Sequence, residues 1–111
     1  MNPPTITSIE VNVVFLAESE GGRKSLPTLL GRYRPHIVVF DKSATFGRQD
    51  VYLGIEFQNG PENFNTGQQI KATAILLWYP HPAYDLLKPG TTFEVREGPK
   101  KVGYGSVLRR L

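Results

Sequence analysis

The sequence predicts an all-β protein folded as an antiparallel barrel or sandwich, and three observations support that prediction. Apolar and polar residues alternate with a period of two in several stretches, turn-forming Gly and Pro residues separate these stretches, and segments suited to helices are almost absent. The 111 residues are 40% hydrophobic and 21% charged, which is typical of one folded globular domain. We therefore expect a single domain over residues 1–111.

Three stretches show the alternation most clearly. Residues 9–15, 51–57 and 93–96 place an apolar side chain at every second position. Because successive side chains of a strand point to opposite faces, each stretch is predicted to be a strand with one buried face.

Three further strands are predicted from less regular patterns. Residues 37–40 form a continuous apolar run, which indicates a strand buried on both faces. Residues 70–79 form a long, mostly apolar run that we expect to be one strand. Residues 102–108 contain Gly103 and Gly105, and glycine within a strand often marks a bulge or a close approach of another backbone.

Turn residues separate the predicted strands and leave little room for helices. The turns include Gly21-Gly22, Asn59-Gly60-Pro61, Pro80-His81-Pro82, Pro89-Gly90 and Gly98-Pro99. Residues 83–87 allow one helical turn, which Pro89 ends because proline lacks an amide hydrogen and clashes with the preceding turn.

The charge of the chain is mildly basic and unevenly distributed. The net charge is +3 with a pI of about 9.3. Residues 88–111 hold six Lys and Arg residues against two Glu residues, so the basic excess is local to this segment. A local basic patch attracts phosphates, and a solvated barrel rim explains the same charges equally well.

The sequence lacks the patterns of several functional classes. Cysteine is absent, His36 and His81 do not have the spacing of metal ligands, and neither a phosphate-binding loop nor a G-x-S-x-G nucleophile motif occurs. We expect no enzymatic activity, cofactor, metal or small-molecule substrate. No apolar run approaches the roughly 18 residues of a membrane span, and residues 1–4 do not resemble the start of a leader, so we expect a cytoplasmic protein.

Three motifs resemble a known family when they are taken in order. They are Glu20-Gly21-Gly22-Arg23, Tyr33-Arg34-Pro35 and Arg96-Glu97-Gly98-Pro99-Lys100-Lys101-Val102-Gly103-Tyr104-Gly105. They resemble the E-G-G-R, G-Y-R-P and R-E-G-G-R-T-V-G-x-G motifs of the C-terminal (third) domain of translation elongation factor Tu. The likeness extends from about Ile9 to Leu111 and implies a six-stranded antiparallel closed β-barrel without catalytic activity.

The resemblance also implies two kinds of contact. In that family the barrel supports the T-stem of aminoacyl-tRNA and docks against a GTPase domain. Glu97 and Gly98 resemble positions at the tRNA backbone, whereas Gly22, His36 and Glu94 resemble positions that face the GTPase domain.

The chain departs from the family pattern at three positions. Arg32 stands where the family has glycine directly before tyrosine, and Pro99 replaces the second glycine of R-E-G-G. Pro99 has no N–H to donate to a phosphate. Glu94 replaces a small residue, and a carboxylate is costly to bury against a partner unless it is paired. This face is therefore expected to meet solvent or a different partner.

Two functions follow as hypotheses. The first is a stand-alone binding module for a protein partner linked to translation, or for a toxin that targets translation, as an immunity protein would be. Its expected docking residues are Gly22, His36, Trp78, Tyr79, Tyr84 and Glu94; the aromatic ones would be interface anchors on the surface, and packing in the core and turns is an equally good interpretation of them.

The alternative hypothesis is an RNA-binding module that contacts the acceptor or T-stem backbone of tRNA or another structured RNA. Lys and Arg would hold phosphates, and glycine would allow a close approach. Its expected contact residues are Arg23, Arg34, Arg96, Glu97, Gly98, Lys100 and Lys101.

Overall fold

Six strands and two short 3₁₀ helices account for the regular structure of the described residues. The structure is a computed structural model and describes residues 7–41 and 49–111, so the start of the chain that bears on a leader lies outside the described residues. The strands are β1 (Ser8–Phe15), β2 (His36–Phe40), β3 (Asp50–Asn59), β4 (Ile70–Leu76), β5 (Thr92–Glu97) and β6 (Lys100–Arg110). The 3₁₀ helices span Glu18–Glu20 and Pro82–Leu86.

The six strands close into a barrel in the order β1-β4-β3-β2-β5-β6, and every pair is antiparallel. Closure is made by β1, which pairs with β4 on one side and with β6 on the other. This confirms the predicted all-β class and decides for a barrel over a sandwich. A closed barrel leaves no unpaired sheet edge.

The inward side chains of the strands fill the barrel as the period-two alternation predicts. Ile9, Val13, Ile37, Phe57 and Val95 are all completely buried. At one end of the barrel the core is aromatic. There Tyr33 stacks on Phe57 with ring centroids 5.8 Å apart and an angle of 11° between the planes, and Phe15 and Phe64 pack beside them.

The two glycines of β6 allow a close approach of β1 and β5. A Cβ atom on Gly105 would lie 2.1 Å from the Asn12 carbonyl oxygen and 2.9 Å from the ring of Phe93. A Cβ atom on Gly103 would lie 2.6 Å from the carbonyl oxygen of Val14. The predicted close backbone approach is thus confirmed.

β4 ends earlier than the apolar run predicts. The strand stops at Leu76, and residues 77–80 form turns that lead into the second 3₁₀ helix. Of these residues, Leu77 and Trp78 lie over Gly54 of β3, whereas Tyr79 and Pro80 are exposed. The single predicted helical turn is confirmed as the 3₁₀ helix Pro82–Leu86. Within residues 7–41 and 49–111, no helix has the length and apolar character needed to cross a membrane.

Candidate protein-docking face

The segment after β4 is fastened to the outside of β3 by Tyr84. Its hydroxyl donates to the carbonyl oxygen of Gly54 at 2.6 Å and accepts from the backbone N–H of Trp78 at 3.1 Å. Burial raises the pKa of the Tyr84 hydroxyl, and the hydrogen bond from Trp78 opposes that rise only in part. Tyr84 is only 1% exposed. The expectation that it presents an exposed ring to a partner is therefore wrong, because its ring packs into the core and its hydroxyl links two backbone segments.

Trp78 is exposed but lies against a fixed support. Trp78 is 71% exposed. A Cβ atom on Gly54 would lie 2.9 Å from the indole Nε1 and 3.0 Å from Cδ1, so the edge of the indole rests where β3 has no side chain. The next residue, Tyr79, is also exposed. The predicted exposure of Trp78 and Tyr79 is confirmed.

His36, Tyr52 and Arg96 form the part of the surface beside Trp78. His36 pairs with Gly54 across β2 and β3 and with Arg96 across β2 and β5. The His36 and Tyr52 rings meet edge to face, with centroids 5.8 Å apart. The guanidinium of Arg96 lies 5.6 Å from the Tyr52 ring centroid, and Arg96 Nη1 donates to the Tyr52 hydroxyl at 2.7 Å.

Glu94 anchors the cations of this surface. Its Oε1 accepts from Nε and Nη2 of Arg96 at 2.9 and 2.6 Å, and its Oε2 lies 3.4 Å from Lys101 Nζ. The hydrogen bond from Arg96 lowers the pKa of Glu94, burial opposes that, and the charges of Lys101 and Arg96 add to the lowering. The carboxylate that the sequence places on this face is therefore paired, which removes most of the cost of covering it.

We call the surface formed by Trp78, His36, Tyr52 and Arg96 the aromatic face. Trp, Tyr and Arg are the residue types that contribute most to binding energy at protein interfaces. Tyr52 was absent from the predicted docking residues. Its outward position in the alternating stretch 51–57 is the sequence signal that identifies it.

Gly22, another predicted docking residue, does not reach this surface. Gly22 is buried, and a Cβ atom there would lie 2.1 Å from the Leu16 carbonyl oxygen. Its N–H donates to the carbonyl oxygen of Ala17. The expectation that Gly22 faces a partner is wrong, because the glycine packs under the backbone of its own loop.

A second cluster joins the three sequence motifs at the aromatic end of the core. Glu97 Oε2 accepts from the Tyr33 hydroxyl at 2.6 Å and from Arg23 Nη1, and the Arg23 guanidinium lies 5.2 Å from the Tyr33 ring centroid. Burial disfavours the charge of Glu97, but the hydrogen bonds from Tyr33 and Arg23 outweigh it and lower the pKa of the carboxyl. Burial and the bond to Glu97 raise the pKa of Tyr33.

The predicted RNA-contact residues do not form one surface, and most of their charges are already paired. Arg23 and Glu97 lie in the second cluster, whereas Arg96 and Lys101 belong to the surroundings of the aromatic face. Arg34 pairs with Glu56 on the outside of β3.

The remaining two predicted RNA-contact residues lie at the turn between β5 and β6. Gly98 adopts a φ of 61°, and Lys100 pairs with Glu97 in the strand register. Both are exposed. RNA contact by this set stays a prediction.

The described part of the chain offers no obvious metal site. Nowhere in residues 7–41 and 49–111 are three or more His, Asp or Glu side chains grouped so that they could hold a metal ion.

A family of known domains matches the first half of this barrel. The family model described as "MFD, D3 domain" matches residues 6–69, which is more than half of the chain. The matched region contains β1, β2 and β3 and ends directly before β4. The chain therefore belongs to the MFD, D3 domain family.

Proposed function

We propose that the chain is a noncatalytic binding module that engages a protein partner through the aromatic face. The observation that carries this proposal is that these side chains are neighbours on one side of the barrel. Trp78 lies on Gly54, and His36 is the strand partner of Gly54. The His36 ring contacts Tyr52, whose hydroxyl accepts from Arg96. Exposed aromatic rings that neighbouring residues already hold in place lose little conformational entropy on binding, which favours their use as anchors.

The pairing of the cations supports a protein partner over RNA. Four of the five basic residues predicted to hold phosphates are in ion pairs with carboxylates; they are Arg23, Arg34, Arg96 and Lys101. A phosphate that approached these cations would also come close to the carboxylates paired with them, which repel it. This lowers the affinity expected for nucleic acid.

We further propose that the module resembles the third domain of elongation factor Tu and that its partner is linked to translation or is a toxin that targets it. Two features support this. The chain forms a six-stranded antiparallel barrel. Within it, Arg23, Tyr33 and Glu97 bring the three motifs of that resemblance into one hydrogen-bonded cluster. Such a module would act in the cytoplasm.

Affinity capture with matched variants tests the proposal. The intact chain, Trp78→Ala and Lys100→Glu are used as baits in a native lysate of the source cells, and bound protein and bound RNA are scored separately. We expect to recover a protein with both the intact chain and Lys100→Glu, and at least tenfold less of that protein with Trp78→Ala. Capture of RNA alone, lost with Lys100→Glu, would contradict the proposal.

Competition tests the link to translation. Once the captured protein is purified, elongation factor Tu is added to its complex with the chain. If the chain imitates the third domain of that factor, the factor displaces it. A complex that resists a large excess of the factor contradicts the resemblance but leaves the binding function in place.

A further inference from the structure

A cleft lies on the outside of the barrel where β2 and β5 separate. The two strands pair at only three positions, and the last pair is Val38 with Glu94. β2 continues to Phe40 and β5 already begins at Thr92, so both strands extend beyond that pair at the same end. The cleft between them has a volume of about 270 Å³. A cavity of about 150 Å³ accommodates a benzene molecule, so this cleft has room for a long side chain.

The backbone of Phe40 faces the cleft. The N–H of Asp41 donates to the carbonyl oxygen of Gln49 beside β3. Because the polar groups of successive strand residues point to opposite sides, the N–H and C=O of Phe40 point away from β3 and toward β5. Among the described residues, β5 has no register partner for Phe40. The Phe40 carbonyl oxygen is therefore an acceptor at the cleft.

Apolar side chains and one unpaired carboxylate line the cleft. Val38 and Phe93 are almost fully buried, whereas Phe40 is 53% exposed, so its ring is accessible. Asp50 is the strand partner of Phe40 and is exposed as well. Among the described residues, no Lys, Arg or His side chain lies within ion-pair distance of the Asp50 carboxylate.

The other two charged residues of the cleft are paired with each other. Glu94 binds Arg96 at 2.6 Å, and on its other side it contacts Lys101 of β6. β6 lies opposite β3 in the closed order of six strands, so Lys101 does not match the charge of Asp50. With two carboxylates and one guanidinium, the lining residues carry one net negative charge in a chain whose net charge is +3.

An arginine side chain has the chemistry that this cleft requires. Its aliphatic stem covers apolar surface while the charged head stays at polar groups. Its planar guanidinium stacks on an exposed aromatic ring and also pairs with a carboxylate. The guanidinium has five N–H donors, so it can supply a carbonyl oxygen and a hydroxyl in addition.

We propose that the cleft between β2 and β5 binds an arginine side chain of the protein partner. The guanidinium stacks on the Phe40 ring and pairs with the Asp50 carboxylate, while its remaining donors reach the Phe40 carbonyl oxygen and the Thr92 hydroxyl. The inference rests on the proposed function, since Arg96 belongs both to the aromatic face and to the cleft, and one partner covers both.

Titration of short peptides, followed by nuclear magnetic resonance of the backbone amides, tests the proposal. The probe is acetyl-Val-Arg-Val-amide. Matched peptides carry lysine or citrulline at the central position, and citrulline keeps the shape of arginine without its charge. We expect saturable shifts of the Phe40, Asp50 and Thr92 amides with the arginine peptide, at least threefold weaker binding of the lysine peptide, and no saturable shift with citrulline. No saturable shift with arginine, or equal binding of either matched peptide, would overturn the proposal.

Matched variants assign the binding to the cleft. Asp50→Asn removes the charge and keeps the shape, and it should weaken the arginine peptide at least fivefold. Phe40→Leu keeps an apolar side chain and removes the ring, so it should reduce the preference for arginine over lysine. Glu62→Gln removes an exposed carboxylate from the loop at the opposite end of β3 and should leave the affinity unchanged. Equal loss with Asp50→Asn and Glu62→Gln contradicts the assignment.

The result is distinguishable from failure of the proposed function. If the arginine peptide does not bind but a protein is still captured in a Trp78-dependent manner, only the arginine assignment fails. If neither occurs, the docking function of the aromatic face fails with it.

Discussion

The Tyr33 hydroxyl donates a 2.6 Å hydrogen bond to the Glu97 carboxylate across 64 residues of sequence. Arg23 binds the same oxygen, so one carboxylate at the end of β5 holds two points of the connection between β1 and β2. Hydrogen bonds to a charged group are stronger than those between neutral groups. The cluster therefore orders one end of the barrel.

Replacement of Glu97 by glutamine should reduce stability in a pH-dependent manner. The pKa of Glu97 is lower in the folded protein than its ordinary value of 4.5. Its stabilising effect is therefore complete above that value and is lost as the pH falls through the lowered pKa. We expect Glu97→Gln to cost about 1–2 kcal/mol at neutral pH, since the group is partly exposed. The free energy of unfolding should also change less between about pH 6 and pH 3.

Urea unfolding at several pH values measures this effect. Glu62→Gln, which removes an exposed carboxylate from the loop between β3 and β4, is the control for the loss of charge alone. A Glu97→Gln variant as stable as the original chain at pH 7 would show that the cluster does not stabilise the barrel.

The alternation of apolar and polar residues predicts three of the strands, because burial of alternate side chains is a local property. The contacts that build the aromatic face are not local. Tyr84 is far in sequence from Gly54, and the hydrogen bond between them decides that Tyr84 is buried while Trp78 is exposed. Composition alone treats both as surface aromatics of one loop.

The backbone of the loop before β2 could be predicted only in part. The motif comparison identifies Arg32 as a departure from glycine, but the sequence does not reveal that Gly31 and Arg32 both adopt the left-handed conformation. Arg32 has a φ of 73° and Gly31 a φ of 104°. The family that the chain resembles has glycine at the position of Arg32. The left-handed conformation of Arg32 is one that glycine adopts without steric cost.

Arg32→Gly should therefore stabilise the protein. A non-glycine residue in the left-handed region costs about 1–2 kcal/mol, and part of this gain is offset by the greater freedom of glycine in the unfolded chain. We expect a net increase of about 0.5–1 kcal/mol in the free energy of unfolding. Arg32→Ala, which removes the charge but keeps a Cβ atom, should give no increase; a rise equal to that of Arg32→Gly would attribute the effect to charge.

Gly105→Ala should destabilise the contact between β1 and β6. The new Cβ atom would lie 2.1 Å from the Asn12 carbonyl oxygen, and a backbone atom within a sheet cannot move aside as a flexible side chain can. We expect a loss of about 1–3 kcal/mol, as for other substitutions that overfill a packed core. Thermal or urea unfolding measures it, with Ser106→Ala in the same strand as the control. A change of less than a few tenths of a kcal/mol for Gly105→Ala would show that the two strands separate easily.

Tyr84→Phe tests whether the link between β3 and the turn after β4 supports the aromatic face. The substitution keeps the buried ring and removes only the hydroxyl, which leaves the Trp78 N–H without that partner, while the Gly54 carbonyl oxygen still accepts from the Leu77 N–H at 3.2 Å. Unsatisfied buried groups of this kind cost about 1–3 kcal/mol.

Because Trp78 is the single tryptophan, its fluorescence anisotropy reports the mobility of the turn directly. We expect the anisotropy to fall and binding at the aromatic face to weaken, while far-ultraviolet circular dichroism shows an intact barrel. Tyr104→Phe, at an exposed ring that is not part of the aromatic face, should change neither quantity. If Tyr84→Phe lowers stability but leaves the anisotropy unchanged, the turn is positioned by the packing of the Trp78 indole on Gly54 rather than by the hydroxyl.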